Sequence, residues 1–148
     1  MRSKLHIINN IANIFTKNNS KEIYMIYGIG TDILNISNIK NSVQDTTDPF
    51  VQKTYTKKEI ELILSRPIPL YSFATRFSGK EAVFKCLNIN GDDIRLNEIE
   101  ILENKNGVPV VCLHGRAKEI AEEKGISEIK ISLSYDTDYA IGYAVAIG

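Results

Sequence analysis

The sequence predicts a single-domain α+β fold in which an antiparallel sheet packs against helices. The chain has 148 residues, which is the usual length of one domain with a buried core. Segments with the two-residue alternation of strands are separated by segments with helical periodicity, and an Asn-Gly turn signal joins two of the strand segments. Hairpins that alternate with helices in this way are typical of α+β proteins.

The first half of the chain predicts one strand and three helices. In order, these are a strand at 26–34, a short helix at 37–43, a helix that begins after 56 and a long helix at 70–87. Thr56 and Glu59 match a capping box, which marks the start of a helix. Pro67 and Pro69 end that helix because proline cannot continue the hydrogen-bond ladder. Residues 46–49 read TTDP and are predicted to be a loop.

The second half predicts four strands and one helix. In order, these are strands at 98–102 and 108–113, a helix at 115–124, and strands at 129–134 and 139–147. Asn106 and Gly107 form the hairpin signal between the first two of these strands. Gly125 follows the helix at the position where a left-handed residue is favoured. The whole chain therefore has five predicted strands and four predicted helices.

Residues 1–24 differ in composition from the rest of the chain. They are rich in asparagine, carry basic residues and contain no acidic residue before position 22. Leu5, Ile8 and Phe15 recur at helical spacing, so an amphipathic targeting helix is one interpretation. The preferred interpretation is an appended, poorly ordered extension, with the domain itself at 25–148.

Composition and charge exclude several classes of protein. The formal net charge is zero, so no overall field attracts nucleic acid or an anionic membrane. No apolar run approaches the roughly 20 residues of a membrane span. Cys86 and Cys112 fit neither a metal motif nor a disulfide framework and are interpreted as reduced thiols. A cytoplasmic protein is expected.

Two carboxylates stand in segments that are otherwise predicted to be buried. Asp32 interrupts the first strand, and Glu81 follows Lys80, which falls within the apolar arc of the long helix. An internal ion pair of Lys80 with Asp32 or Glu81 would explain these charges. The alternative is a Mg²⁺ site, because Mg²⁺ takes one or two protein carboxylates plus substrate phosphates, and Arg76, Lys80 and Lys85 would face those phosphates.

Two further segments are ambiguous. Gly28 and Gly30 in GIGTD match only a fragment of a dinucleotide fingerprint, and they would allow either backbone or a cofactor to approach closely. The segment SLSYDTDY places Ser134, Tyr135 and Asp136 where a strand ends. A polar hairpin turn explains that segment as well as a binding site does.

Three segments in this order resemble the holo-(acyl carrier protein) synthases, the small single-domain type of 4′-phosphopantetheinyl transferase. The segments are GIGTDIL, RFSGKEAVFKCL and KISLSYDTDYAIGYAVA, and the resemblance covers residues 25–148. It implies transfer of 4′-phosphopantetheine from coenzyme A to a serine of an apo-acyl carrier protein, with release of adenosine 3′,5′-bisphosphate. It also implies a role in fatty acid biosynthesis, and homotrimers that bind coenzyme A between adjacent protomers, with no part for nucleic acid or a membrane.

The resemblance also implies roles for individual residues. Asp32 and Glu81 become Mg²⁺ ligands. The residues implied to lie near coenzyme A are Arg76, Lys80, Lys85, Ser134 and Tyr135. Asp136 is one candidate for the base that accepts the serine proton, and a metal-bound water or Glu81 acting through water is the other.

The chain departs from the family pattern at two places. Tyr135 stands where the family usually has histidine, and a neutral phenol cannot carry a positive charge to a phosphate. A non-catalytic coenzyme A-binding or nucleotide-binding homologue is therefore the alternative function, and a purely structural oligomer is a third. The segment DILNISNIK lacks the usual arginines, so carrier docking is expected to use either Lys53, Lys57 and Lys58 or a different surface of the carrier.

Overall fold

The computed structural model describes residues 23–148, and the predicted N-terminal extension lies outside them except for its last two residues. The five strands are β1 (Ile26–Asn35), β2 (Ile99–Glu103), β3 (Pro109–Leu113), β4 (Glu128–Tyr135) and β5 (Tyr139–Ile147). The four α-helices are α1 (Pro49–Thr54), α2 (Lys57–Leu64), α3 (Pro69–Cys86) and α4 (Gly115–Glu123). Short 3₁₀ turns cover Ile36–Asn38 and Leu96–Glu98.

The strands form two antiparallel sheets. β1, β5 and β4 form a three-stranded sheet in that order, and β2 and β3 form a separate hairpin. The long helix α3 packs against the three-stranded sheet and also contacts α2 and β2. The predicted α+β class is therefore confirmed. Within residues 23–148, no helix combines the length and the apolar character that crossing a lipid bilayer requires.

The start of the chain's helical region differs from the prediction. The predicted helix at 37–43 is a 3₁₀ turn followed by further turns, and the first α-helix begins at Pro49. Its N-cap is Asp48, whose carboxylate accepts a hydrogen bond from the Phe50 backbone N–H at 2.8 Å. Asp followed by Pro at the first helical position is a helix start signal, and it was missed because TTDP also suits a loop.

The capping box of α2 is confirmed. Thr56 Oγ1 accepts a hydrogen bond from the Glu59 backbone N–H at 3.2 Å, and Glu59 Oε2 accepts one from the Thr56 backbone N–H at 2.8 Å. Pro69 is the first residue of α3, where its missing N–H costs nothing. This proline therefore begins a helix as well as preventing α2 from continuing.

Glycines let α3 lie directly on the sheet. A Cβ added to Gly28 would overlap the Cys86 carbonyl oxygen, and one added to Gly30 would overlap the Ala82 carbonyl oxygen. A Cβ on Gly142 of β5 would lie 2.5 Å from the Ser78 carbonyl oxygen. The sequence left open whether backbone or a cofactor approaches these glycines. In the structure it is the backbone of α3 that lies against them. This contact fixes the distance between α3 and β1, and with it the position of the polar residues at the helix edge.

Two groups of buried side chains form the core on either side of α3. One group joins the helix to α1 and α2 and includes Val51, Ile63 and Phe73. The other joins it to β2, α4 and the sheet and includes Leu87 and Ile99. Because α3 is packed on nearly all sides, the charged residues on it must find partners or lie at its edges.

Candidate active site

Asp32 lies on the inner face of β1, at the edge of the three-stranded sheet. Alternation along the strand turns Gly30, Asp32 and Leu34 toward α3, and Asp32 pairs with Gly142 across the sheet. The Asp32 side chain keeps 17% of its surface exposed. Lys85 Nζ, at the last turn of α3, lies 2.9 Å from Asp32 Oδ1 and donates a second hydrogen bond to the Thr31 carbonyl oxygen at 2.9 Å.

Glu81 lies one helical turn before Lys85 and shares its side of α3. Partial burial raises the pKa of Glu81, and the negative charge of Asp32 raises it further, while the cation of Lys85 opposes both effects. Asp32, Glu81 and Lys85 therefore form one electrostatic cluster. The structure brings together these three predicted site residues, which come from segments about 50 residues apart in the sequence.

The chemistry of this cluster fits a divalent cation whose remaining ligands come from a substrate. Two carboxylates face one ammonium group, so their formal charges leave one negative charge in excess. Residues 23–148 contain no group of three or more acidic, histidine or cysteine side chains arranged to hold a metal. Two carboxylates suit Mg²⁺, which keeps waters and binds substrate phosphates alongside one or two protein ligands.

Lys80 does not belong to this cluster, which corrects both predictions made for it. Its Nζ lies 2.8 Å from Glu59 Oε2, and neither side chain has any solvent exposure. The ammonium also donates hydrogen bonds to the Leu96 carbonyl oxygen at 3.2 Å and to the Ile99 carbonyl oxygen. Burial lowers the pKa of Lys80, and the Glu59 carboxylate opposes that effect. With its cation enclosed, Lys80 is unavailable to a coenzyme A phosphate.

The direction of Lys80 follows from helix geometry. Successive residues in a helix are about 100° apart, so Lys80 turns toward α2 and β2 while Glu81 turns toward β1. The partner Glu59 was missed because its capping-box role already explained a glutamate at that position. In the structure one carboxylate does both, since it caps α2 and pairs with Lys80.

Arg76 lies on the other side of α3, beside a cavity of about 420 Å³. Its side chain is almost completely buried and donates to the Ile101 carbonyl oxygen at 3.1 Å and to Ser72 Oγ at 2.6 Å. Glu103 pairs with Arg76 at 3.1 Å and also with Arg66. Two guanidinium groups thus share one carboxylate at the cavity wall, which leaves a net positive charge there.

Aromatic side chains form another part of the cavity wall. Tyr135 stacks on Tyr71, with ring centroids 4.7 Å apart and planes inclined by 17°. Tyr135 keeps 57% of its surface exposed. The cavity therefore combines a flat aromatic surface with cationic groups. Sequence reasoning missed Arg66 and Tyr71, although the polar residues at 71, 72, 75 and 76 recur on one helix face and could have indicated a lined pocket.

Arg76 and Lys85 face away from each other. Nine residues separate them along α3, which corresponds to about 13 Å along the axis and half a turn around it. The structure therefore does not bring Arg76 or Tyr135 together with Asp32 and Glu81 within one chain. It forms two separate groups of site residues: the carboxylate cluster (Asp32, Glu81, Lys85) and the arginine cavity (Arg66, Tyr71, Arg76, Tyr135).

Ser134 and Asp136 also lie apart from the carboxylate cluster. Ser134 is exposed near the end of β4, and Asp136 is exposed in the β4–β5 turn, where its carboxylate accepts a hydrogen bond from the Thr137 backbone N–H at 2.6 Å. That turn ends at Tyr139, the first residue of β5, which comes three residues, or about 10 Å, before Gly142, the residue opposite Asp32. Asp136 is thus next to Tyr135 and remote from Asp32 of the same chain.

Comparison with known proteins gives a consistent result. The model of the 4′-phosphopantetheinyl transferase superfamily matches residues 28–144. The holo-[acyl-carrier-protein] synthase of Thermoanaerobacter sp. (strain X514) is 40% identical over 120 residues, which cover 81% of this chain and 86% of that protein. A crystal structure of holo-ACP-synthase from Plasmodium yoelii superposes with a TM-score of 0.73 at 30% identity, covering 85% of this chain and 98% of the other.

A second solved structure shows a bound ligand. The holo-[acyl-carrier-protein] synthase of Helicobacter pylori, in complex with coenzyme A, superposes with a TM-score of 0.69 at 28% identity. The match covers 80% of this chain and 98% of that one. From the family match and the extent of these similarities, the chain belongs to the 4′-phosphopantetheinyl transferase superfamily.

Proposed function

We propose that this chain transfers 4′-phosphopantetheine from coenzyme A to a serine of an apo-acyl carrier protein. The similarity to proteins named holo-[acyl-carrier-protein] synthase supports the reaction. The observation that carries it in this chain is the cluster of Asp32, Glu81 and Lys85, in which two carboxylates and one cation from distant segments face each other. A cytoplasmic location and a role in fatty acid biosynthesis are part of the same proposal.

In this proposal Asp32 and Glu81 would hold Mg²⁺. When bound, the ion supplies Lewis-acid polarisation of the coenzyme A diphosphate and fixes its orientation. The serine oxygen forms a bond to the phosphorus that carries pantetheine, and the bond from that phosphorus to the bridging oxygen breaks. The electron pair leaves with adenosine 3′,5′-bisphosphate. Such a reaction depends mainly on positioning and on charge stabilisation.

Lys85 stabilises the leaving phosphate. Its side chain is half-exposed and ends beside Asp32, so its ammonium can contact a phosphate held at the carboxylate cluster. A preformed cation at the point where negative charge develops lowers the barrier. The serine proton passes to Glu81 through a water, or to Asp136 if a neighbouring copy contributes that residue, because Asp136 is remote from Asp32 within one chain.

The arginine cavity receives the nucleotide end of coenzyme A. The cations of Arg66 and Arg76 match a phosphate, and the stacked rings of Tyr71 and Tyr135 offer a flat surface of the kind on which bases stack. This cavity and the carboxylate cluster lie on opposite sides of α3. One coenzyme A can therefore contact both kinds of site if one protomer contributes the arginine cavity and the adjacent protomer contributes the carboxylate cluster. The proposal therefore includes a homotrimer with the active sites between protomers.

The outer face of the three-stranded sheet supports this assembly. Ile29 and Ile33 of β1 are 61% and 68% exposed, and Ile141 and Tyr143 of β5 are 43% and 46% exposed. These side chains alternate with the inward-facing residues. Ile33 pairs with Ile141 across the two strands, and Tyr143 pairs with Thr31, which lies between Ile29 and Ile33. An exposed, largely apolar sheet face of this kind marks an interface in soluble proteins. We assign it to contact between copies of this chain.

The carrier protein is proposed to dock near α1 and α2. Lys53, Lys57 and Lys58 are exposed there, and none of the ion pairs found within residues 23–148 includes them. Their charges are therefore available to an acidic partner surface.

The mass of the carrier after incubation tests the proposed function. The protein is mixed with an apo-acyl carrier protein, coenzyme A and Mg²⁺, and the carrier is analysed by mass spectrometry. Gain of one phosphopantetheine group is the expected result. Thermal stabilisation by coenzyme A without that gain would instead identify a non-catalytic binding homologue. Absence of both the mass gain and the stabilisation would indicate a purely structural oligomer.

A further inference from the structure

Lys85 contacts an oxygen that the proposed metal site needs. Its Nζ lies 2.9 Å from Asp32 Oδ1 and is anchored by the Thr31 carbonyl oxygen at the same distance. The Asp32 carboxylate is mostly buried, whereas half of the Lys85 side-chain surface is exposed. The ammonium therefore neutralises a partly enclosed carboxylate from a position that opens to solvent.

A divalent cation and this ammonium cannot both occupy the carboxylate cluster at low energy. A cation bound by Asp32 and Glu81 would lie within a few ångströms of Nζ, where like charges repel strongly in a partly buried site. The flexible four-carbon stem of lysine allows the ammonium to turn away. Lys80 of the same helix has no such freedom because it is completely enclosed.

We propose that Lys85 is an exchangeable counter-ion that couples metal binding to coenzyme A binding. Its ammonium neutralises Asp32 until a divalent cation takes that carboxylate, and it then turns to the diphosphate of coenzyme A. This inference rests on the proposed function, because it requires the metal site at Asp32 and Glu81. It means that Lys85 weakens binding of the metal alone and that the substrate removes this penalty.

The opposite role makes an opposite prediction. If Lys85 were a fixed partner that orients the Asp32 carboxylate toward the metal, its loss would weaken metal binding. If it is an exchangeable counter-ion, its loss strengthens binding of the metal alone and reduces the effect of coenzyme A. Linkage requires that coenzyme A and the metal change each other's affinity by the same factor.

Mn²⁺ binding measured by electron paramagnetic resonance separates these roles without a catalytic readout. The full chain and its Lys85→Met, Lys85→Arg and Asp32→Asn variants are titrated with Mn²⁺, with and without coenzyme A. Lys118→Met is the matched control, since Lys118 forms an exposed pair with Glu122 on α4 at 3.8 Å. Circular dichroism confirms that each variant is folded.

We expect Lys85→Met to bind Mn²⁺ alone about ten-fold more tightly than the unmodified chain, because one positive charge beside the site is removed. Lys85→Arg and Lys118→Met should leave the affinity unchanged. Coenzyme A should tighten Mn²⁺ binding to the unmodified chain by roughly 5- to 150-fold, and by a clearly smaller factor in Lys85→Met.

Unchanged or weaker Mn²⁺ binding by Lys85→Met would overturn the exchange while leaving the metal site in place. Failure of the proposed function has a different signature. In that case Asp32→Asn would bind Mn²⁺ as well as the unmodified chain does in the presence of coenzyme A.

Discussion

Lys80 and Glu59 form an ion pair of 2.8 Å that is completely shielded from solvent. The pair joins α3 to the start of α2, and Glu59 Oε1 also accepts a hydrogen bond from the Ile101 backbone N–H at 2.7 Å. One enclosed carboxylate thus holds together two helices and strand β2. This contact explains why a lysine next to a proposed metal ligand has a structural role.

Removal of one partner of this pair should destabilise the fold. Lys80→Met leaves the Glu59 carboxylate buried without its cation, and the free energy of unfolding should fall by about 3–5 kcal/mol. Glu59→Gln combined with Lys80→Met removes both charges, keeps a side-chain oxygen for the Ile101 N–H, and should cost less than Lys80→Met alone. Urea denaturation of the two variants measures the difference. A loss below about 1 kcal/mol in Lys80→Met would show that the pair contributes little.

Glu81→Gln should increase stability at neutral pH. Partial burial and the Asp32 charge raise the pKa of Glu81 above its usual value of 4.5, so the folded protein binds this proton more tightly than the unfolded chain. The resulting stabilisation is present below pH 4.5 and is lost as the pH rises through the higher pKa of the folded state. Glutamine does not ionise, so the variant does not lose this stability as the pH rises. The variant should therefore melt at a higher temperature than the parent at pH 7. At pH 4 the two melting temperatures should lie closer together.

A melting temperature for Glu81→Gln below that of the parent at pH 7 would contradict this account of the site. It would mean that the carboxylate stabilises the fold through its contacts and is not held at a cost for a ligand.

Tyr135 should act through its ring. Tyr135→Ala removes the surface that stacks on Tyr71 and should raise the KM for coenzyme A about ten-fold, as expected from the loss of an aromatic stack of about 1 kcal/mol together with buried area. Tyr135→His keeps a flat ring and should keep or raise activity. Steady-state kinetics measures both. A large loss of activity in Tyr135→His would assign a specific role to the phenol hydroxyl.

Ile33→Asp should break the proposed homotrimer and abolish the activity together. Ile33 lies in the middle of the apolar outer face of the sheet, and a carboxylate there opposes burial against a second copy. Sedimentation velocity is expected to show trimers for the parent and monomers for Ile33→Asp. Val108→Asp is the control, because Val108 is 52% exposed just before β3, outside the three-stranded sheet. Trimers of Ile33→Asp would place the interface elsewhere.

Much of the fold could be predicted from the sequence because its signals are local. The capping box at Thr56, the hairpin signal at Gly107 and the alternation along β1 and β5 each depend on a few neighbouring residues. The first helix was missed because Asp48 and Pro49 suit both a loop and a helix start. Only the packing of Val51 and Thr54 into the core distinguishes these possibilities.

The candidate site could be predicted only in part. Asp32, Glu81 and Lys85 were expected together, and the structure places them so because glycines hold α3 against β1. Lys80 was misassigned because its partner Glu59 comes from another helix, and helical periodicity does not reveal which neighbouring element a buried lysine meets. The separation of Arg76 from Asp32 likewise depends on the placement of α3 between two packed layers.

The rate of carrier modification by Asp32→Asn, compared with that of the unmodified chain over a Mg²⁺ titration, tests the central claim most directly. Asparagine keeps the shape of the side chain and removes the charge that the account gives to the metal. We predict metal-dependent transfer by the unmodified chain and loss of at least about 100-fold in the variant, since transfer depends on charge stabilisation at this point. Transfer by Asp32→Asn at the parent rate and with the same metal dependence would contradict the account.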